Sequence, residues 1–495
     1  MKSLSKSQYT RGLQCAKSLW LYRNAKDLAS KADAFQESIM DAGTEFGVLA
    51  QKWMPGGVLI KAGHEDPEAA LRETADAIAA GATAIYEGAF LWDDVLVRAD
   101  IIAKSTYGNW SLFEVKSGTK VAEEHIPDVA IQRYVLAGAG LNVSKTFLVH
   151  ANPGYVRKGD LNLQALFMAE EVTAESADAL AAVPAELARM KAYADGPEAP
   201  AKEIGDYCNK PHPCEFKAHC WAGIPEYSVF NIPYMKMERK LELFNRGVQL
   251  VHQVDPLTEK ITDKRMLGPI QAARLGKPSI DHVAIVKFLA GISYPIAHLD
   301  FETEAPVVPP YDGLRPYSQM PFQASVRVQK KIGAPIVEHG FLGDGTKDPR
   351  EALAKFLVDV IPETGSVLAY YKVFEGGRLK ELAAFLAGAL ADPLLSMEQR
   401  LVDLADPFSK GWFTDPNFKG RWSIKAVLPA LCPDMTYKNL MIQDGTAAMA
   451  AYAELRDQAT TPERRAALTE GLKAYCAQDT EAMCKILDRL YTVAA

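Results

Sequence analysis

The sequence predicts an α/β protein in two parts joined by a helical connector. Three observations predict it. Short β-rich runs alternate with helical-period segments over residues 1–225, a helical stretch fills 226–290, and a second α/β alternation occupies 291–495. At 495 residues the chain is long for one domain and suggests about two or three. Its 48 % apolar content is enough for sizeable buried cores.

The elements follow in order. The first part opens on a helix through SKSQYTRGLQCAKSLWLYR, with further helices through ESIMDAGTEFGVLAQKWM and DPEAALRETADAIAAGA. Strands AFLWDD, VLVRADIIAK and WSLFEVKSG come next, rich in β-branched and aromatic residues and bounded by Gly, Asn or Asp. A helix through PDVAIQRYVLAGAG leads into the strand KTFLVHA. The connector carries ERKLELFNRGVQLVHQV and DHVAIVKFLAGI at helical period. The second part has strands YPIAHLDFETE, PFQASVRVQKK and APIVEHGFLG, then helix EALAKFLVDVI, strand SVLAYY and several more helices. The Pro- and Tyr-rich stretch APVVPPYDGLRPYSQMP is a loop beside the first acidic strand, and a mobile loop and a rigid one are equally consistent with it.

Composition excludes several classes. No run of about 18 uncharged apolar residues occurs, so no membrane span is expected. The stretch MKSLSKSQYTRGLQCAKSLWLYR mixes polar and basic residues with apolar ones, unlike a secretory signal. Seven cysteines are sparse and odd in number, which points to a reducing cytoplasm rather than a disulfide scaffold. The net charge of −7 means that any nucleic-acid contact needs a local basic groove. There is no G-x4-G-K-[ST] run, so no motor of its own is expected.

Two constellations carry chemistry. On VLVRADIIAK, Asp100 shares a face with Arg98 and Ile102; on WSLFEVKSG, Glu114 and Lys116 leave one face together. Acids on adjacent strands can hold Mg²⁺ or Mn²⁺ through hard oxygen ligands, beside a lysine that orients water or offsets developing charge. In the second part, AHLDFETE puts Asp300 and Glu302 on one strand face, with Leu299 and Phe301 on the other. Downstream, LKAYCAQD sets Tyr475 and Asp479 one helical turn apart. Glu375 stands where SVLAYY gives way to a helix. Carboxylates converging from these places can hold two divalent ions, with Tyr475 positioning the attacking water.

Four cysteines form a third pattern. Cys208, Cys214 and Cys220 fall in YCNKPHPCEFKAHCW, and Cys15 lies far upstream. The prolines make this a loop able to wrap a compact ligand, and the distant Cys15 makes it a staple. Four thiolates suit zinc or an iron–sulfur cluster. Structural zinc gathers tight pairs of ligands, which these spacings lack, and a [4Fe–4S] cluster is therefore favoured. Cys432, Cys476 and Cys484 read as buried thiols.

These residues carry family resemblances. D…ExK followed by a Gln-bearing helix resembles the PD-(D/E)xK nuclease core of the RecB family. The cysteine frame resembles the iron–sulfur staple of AddB-type and CRISPR-associated RecB-like nucleases. The likeness implies Asp100, Glu114 and Lys116 as a catalytic core and Gln132 as the motif glutamine. Where that family presents a metal-binding histidine on a helix, Gly43-Thr-Glu-Phe-Gly47 presents Glu45, and Tyr134 stands two residues beyond Gln132 rather than four. The second constellation is similar to DnaQ-like, RNase H-fold 3′–5′ exonucleases of the DEDDy type, with Glu375 in place of the middle aspartate. LSKSQYTRGLQCAKSLWL, LDFETE and RWSIKAVLPALCPDMTY resemble a bacterial family, known mainly as a domain of unknown function, that fuses the two modules.

The resemblance implies a Mg²⁺- or Mn²⁺-dependent nuclease acting on DNA, at single-stranded ends, with a structural [4Fe–4S] cluster and a helicase or recombination partner. The implied metal ligands are Glu45, Asp100 and Glu114 in the first module and Asp300, Glu302 and Asp479 in the second. Two rivals stay open: an RNA 3′–5′ exonuclease using the second site alone, and a non-catalytic nucleic-acid-binding scaffold.

Overall fold

Buried residues alternate with half-buried ones through most of Val95–Lys104, as a strand with two unlike faces requires. In the computed structural model, which describes residues 3–32 and 34–495, this strand anchors a seven-stranded sheet. Its members are β1 (Leu4–Ser5), β2 (Val58–Leu59), β3 (Ala84–Trp92), β4 (Val95–Lys104), β5 (Trp110–Val115), β6 (Val143–Ala151) and β7 (Phe167–Glu171). The order is β2-β3-β4-β5-β6-β7, with β1 paired to β4 off that path.

β3 covers one edge of β4 along nearly its whole length. The other edge is shared. β1 pairs in parallel at Val95 and Leu96, and β5 pairs antiparallel from Ile101 to Lys104. Asp100 lies in the gap between them. Apolar clusters cover both faces: Val97, Ile102 and Leu112 pack with Ile131, Leu136 and Leu187 of two helices, while Ile101 and Val149 pack with Phe46 and Ala50 of the helix Ala34–Trp53.

The opening helix expected over SKSQYTRGLQCAKSLWLYR is two helices, Lys6–Gln14 and Ala16–Asn24. Between them Cys15 is extended, at φ −160° and ψ 116°. Strand AFLWDD begins earlier, at Ala84, and β1, β2, β7 and the helix Ala177–Ala194 were not anticipated.

The chain falls into two compact units. Met1–Ala222 with Pro306–Ser318 forms the first; Gly223–Ala305 with Gln319–Ala495 forms the second. Most of the Pro- and Tyr-rich loop therefore belongs to the first unit, where hydrogen bonds fix it. Arg157 donates to the carbonyls of Pro309 and Pro310 at 2.8 and 2.9 Å, and Tyr317 Oη donates to the Ser117 carbonyl at 2.7 Å. Val307 is buried in the cluster of Phe46 and Tyr86.

The second unit carries a five-stranded sheet of β9 (Ile296–Glu304), β10 (Met320–Gln329), β11 (Ile336–Leu342), β12 (Ser366–Ala369) and β13 (Leu401–Asp403). The order is β11-β10-β9-β12-β13, antiparallel through the first three and parallel from β9 to β13. A small ribbon pairs β8 (Ser279–Ile280) with β14 (Phe413–Thr414). Residues 226–290, expected as a connector, fall within this unit and hold their own apolar cluster around Val229, Leu243, Val251 and Ile270. They include an unforeseen helix, Lys264–Leu275.

The alternation of β9 separates its two jobs. Ala297, Leu299 and Phe301 pack with Leu353, Leu357, Leu379 and Leu382. His298, Asp300, Glu302 and Glu304 leave the opposite face. There Arg456 of the helix Gly445–Arg456 binds Glu304 at 2.7 Å, and Cys476 and Cys484 of the helix Pro462–Ala494 approach Asp300 and His298. That 33-residue helix starts cleanly, with Pro462 in its first turn and Thr461 Oγ1 accepting from Arg464 N.

One glycine fixes how β12 enters the sheet. Gly365 has φ +83°, and a Cβ there would lie 1.9 Å from the Pro295 carbonyl oxygen. Gly365→Ala is expected to lose at least about 2 kcal/mol through strain and clash together. An unchanged urea midpoint would refute this. Among the described residues, no helix is long and apolar enough to cross a membrane.

Candidate functional site

In the second unit, β9 and the helix Pro462–Ala494 bring Asp300, Glu302, Tyr475 and Asp479 together. The helical period puts Tyr475, Cys476 and Asp479 on the side that faces β9. Oxygens of Asp300 and Glu302 and the Cys476 sulfur lie within 4.8 Å of one another, the one such set among the described residues. Glu375 is buried on the helix Lys372–Leu386, and its Oε2 has no hydrogen-bond partner among the described residues. Asp403 at the end of β13 sets the start of that helix by accepting from the backbone of Tyr371 and Lys372 at 2.9 and 3.2 Å.

No ion pair reaches Asp300, Glu302, Glu375 or Asp479 among the described residues, and their electrostatics show the consequence. Burial, then repulsion from Asp479, Glu302 and Glu375, pushes the Asp300 carboxyl well above the usual range. Burial and Asp479 do the same to Glu302, against the pull of Lys425. Burial lifts Glu375 to about 8 and Asp479 to about 6. Asp479 is held down partly by Tyr437, whose hydroxyl donates to its Oδ1 at 2.6 Å. Burial and the acids raise the Tyr475 phenol far above its ordinary value, so it stays a neutral donor. Lys425 Nζ donates to Tyr475 Oη at 3.2 Å.

Sequence reading missed three of these residues as site members: Lys425, Tyr437 and Cys476. The first two lie within RWSIKAVLPALCPDMTY, a segment noted for its likeness alone. Cys476 is buried, as expected, but against Asp300 at 3.7 Å; its place directly after Tyr475 was the available signal.

In the first unit, Asp100, Glu114, Lys116 and Gln132 also meet. The backbone N–H of Val115 donates to Asp100 Oδ2 at 2.7 Å, which joins β4 to β5 across the gap. Glu114 is almost fully buried, and its Oε2 accepts from Gln132 Nε2 at 2.7 Å. Its Oε1 accepts from two ammonium groups, Lys116 and the unforeseen Lys6, both at 2.7 Å. Asp128, one helical turn before Gln132, takes Lys116 at 2.5 Å and Lys6 at 3.5 Å.

Burial raises the Asp100 carboxyl to about 8, with help from Glu114. Burial pushes Glu114 the same way, but Lys6 and Lys116 outweigh it and hold that carboxyl far below the ordinary value. Glu45 is not part of this cluster. It stands exposed on the helix Ala34–Trp53, because the neighbouring Phe46, with Ala50 one turn on, claims the buried face.

Cys15, Cys208, Cys214 and Cys220 are free thiols. Burial raises the Cys220 thiol against the pull of Lys17, and the three other cysteines are close enough to add to the rise. Gln14 Nε2 donates to the carbonyls of Tyr207 and His212, both at 2.8 Å, and so pins the helix break at Cys15 to the cysteine loop. Among the described residues no three of the four sulfurs lie within 4.8 Å of one another. Ligands around a tetrahedral zinc, with Zn–S of ~2.3 Å, stand only ~3.8 Å apart.

Residues 297–423 match a family model described as a domain of unknown function (DUF2779). Asp300, Glu302 and Glu375 fall inside that match. The chain is also 24 % identical over 223 residues to an uncharacterized protein of Ureaplasma parvum serovar 3. That likeness covers 41 % of this chain and spans 32 % of the relative's length.

Proposed function

We propose that this protein is a metal-dependent nuclease whose hydrolytic centre lies in the second unit and which trims single-stranded DNA from 3′ ends. One observation carries the reading: buried Glu302, Glu375 and Asp479 and half-buried Asp300 stand in one another's field, with no cation paired to them among the described residues. Such a set is costly without a positive partner, and its hard oxygens suit Mg²⁺ or Mn²⁺. The sheet supports the same reading. In chain order its strands run third, second, first, fourth, fifth with the second antiparallel, as in an RNase H-like fold.

Asp300, Glu302 and Asp479 would hold the ions, with Glu375 completing the set. When bound, two divalent ions supply charge stabilisation for the attacking and leaving oxygens of an in-line displacement. Tyr475 keeps its proton and orients water through its hydroxyl. Lys425, hydrogen-bonded to that hydroxyl, offsets charge on the phosphate. Tyr437 fixes the rotamer of Asp479.

The first unit supports a PD-(D/E)xK-like architecture, with Asp100 and Glu114 on adjacent strands of a mixed sheet. Its carboxylates fit a divalent ion poorly, because two ammonium groups already occupy Glu114 Oε1 and Gln132 occupies Oε2. Its four free cysteines, gathered by the Gln14 tether, would hold a [4Fe–4S] cluster, which their separation along the sequence favours over zinc. The cluster's role would be to close the unit.

The test uses matched single-stranded DNA and RNA oligonucleotides labelled at the 5′ end, with Mn²⁺ or Mg²⁺. A ladder of 3′-shortened DNA products is expected. Degradation of RNA alone would transfer the activity to RNA, and no hydrolysis of either polymer with either ion would refute the nuclease reading.

A further inference from the structure

We infer that Lys6 is the resident cation of the first unit's carboxylate cluster, and that this cluster takes up no divalent ion while Lys6 is in place. Two cations already serve the buried Glu114. Lys116 reaches it from β5 itself, two residues on, as the strand period allows. Lys6 comes from the first turn of the helix Lys6–Gln14, a contact across 108 residues of sequence.

The backbone explains why Lys6 arrives there. β1 occupies the part of β4's edge that β5 leaves open, with Leu4 opposite Val95 and Ser5 opposite Leu96. Ser5 then caps the helix by accepting from Gln8 N at 3.2 Å. Lys6 follows directly, beside the gap that holds Asp100. Sheet pairing and a helix cap together fix where its backbone stands.

Most of the acceptors are correspondingly engaged. Glu114 Oε1 takes both ammonium groups and Oε2 takes Gln132. Asp128 Oδ2 takes Lys116, Lys6 Nζ stands 3.5 Å from Oδ1 without a hydrogen bond, and Asp100 Oδ2 is held by the Val115 backbone. Three acids face two lysines here, and a divalent ion would have to displace one or both from a nearly inaccessible carboxylate. Among the described residues no ammonium pairs with Asp300, Glu302, Glu375 or Asp479, so the two clusters differ in kind. The first is a structural node served by its own lysines, and cleavage falls to the second.

Direct ion binding tests this independently of any cleavage. In the 495-residue chain, Asp300→Asn, Glu302→Gln and Asp479→Asn together remove the three ion-holding carboxylates proposed for the second unit, and Mn²⁺ is titrated by electron paramagnetic resonance. With Lys6 intact, no Mn²⁺ that depends on Glu114 is expected. Adding Lys6→Ala is expected to create one bound ion, which a further Glu114→Gln removes. Lys6→Met, which preserves the stem's bulk, carries the test if Lys6→Ala does not give a cooperative thermal melt. Glu114-dependent Mn²⁺ binding with Lys6 present would overturn the proposal. So would failure of a folded Lys6 variant to gain an ion.

Discussion

Asp300→Asn is expected to reduce Mn²⁺-supported cleavage of single-stranded DNA by on the order of 10³-fold, while stabilising the metal-free protein at pH 8. Both effects come from one cause. Asp300 is an acid forced among acids, and the amide keeps its shape without its charge. The pH dependence follows from the raised carboxyl values. Below their unfolded pKa both states are protonated and nothing is lost. As pH climbs, the unfolded chain ionises first, and stability falls until pH passes the folded value.

For Glu375 that value is about 8 against an ordinary 4.5, and for Asp479 about 6 against 3.8. The metal-free protein should therefore lose stability between about pH 4 and pH 8. Mn²⁺ should restore it, more at pH 8 than at pH 5, since ligands bind as carboxylates. At a hundredfold excess over Kd the gain is about 2.7 kcal/mol. Thermal melts with and without Mn²⁺ measure this. A wild-type melting temperature indifferent to Mn²⁺ at pH 8, or full activity in Asp300→Asn, would remove the metal centre.

Cys15→Ser is expected to abolish the visible thiolate-to-iron absorbance of anaerobically purified protein and to expose the first unit to proteolysis before the second. Cys15 and Cys208 bracket a loop of roughly 190 residues. A covalent link closing such a loop removes about 5 kcal/mol of unfolded-state entropy on the relation used for disulfides. A metal-bridged link has a comparable constraint to lose. Iron and sulfide analysis, with a limited trypsin time course, measures the two parts. Stoichiometric zinc in place of iron would replace the cluster with a zinc site, and an unaltered digestion pattern would show that Cys15 is no staple.

What could be read from the residues alone follows physical range. β4 and β9 were legible because a strand's period of two is written in consecutive residues, and Asp100, Asp300 and Glu302 came with it. Tyr475 and Asp479 were legible because a helical turn spans four residues. Asp128 was open to the same argument, standing four before Gln132, and was passed over. Lys6 was not legible: its contact depends on two residues of β1 pairing with a strand some ninety positions away. Helix position alone does not say which way Glu45 faces; the apolar Phe46 and Ala50 decide that it is exposed. Lys425 and Tyr437 needed the placement of a helix that begins at residue 462, which no local pattern encodes.

The placement of residues 306–318 has a practical consequence for dissecting the protein. A fragment ending at Ala222 would omit Val307 and the Tyr317 tether to Ser117. It would bare a patch of Phe46 and Tyr86 to solvent and invite aggregation. Expressing the first unit separately would therefore require grafting the 306–318 stretch back, as an added peptide or through a short engineered join.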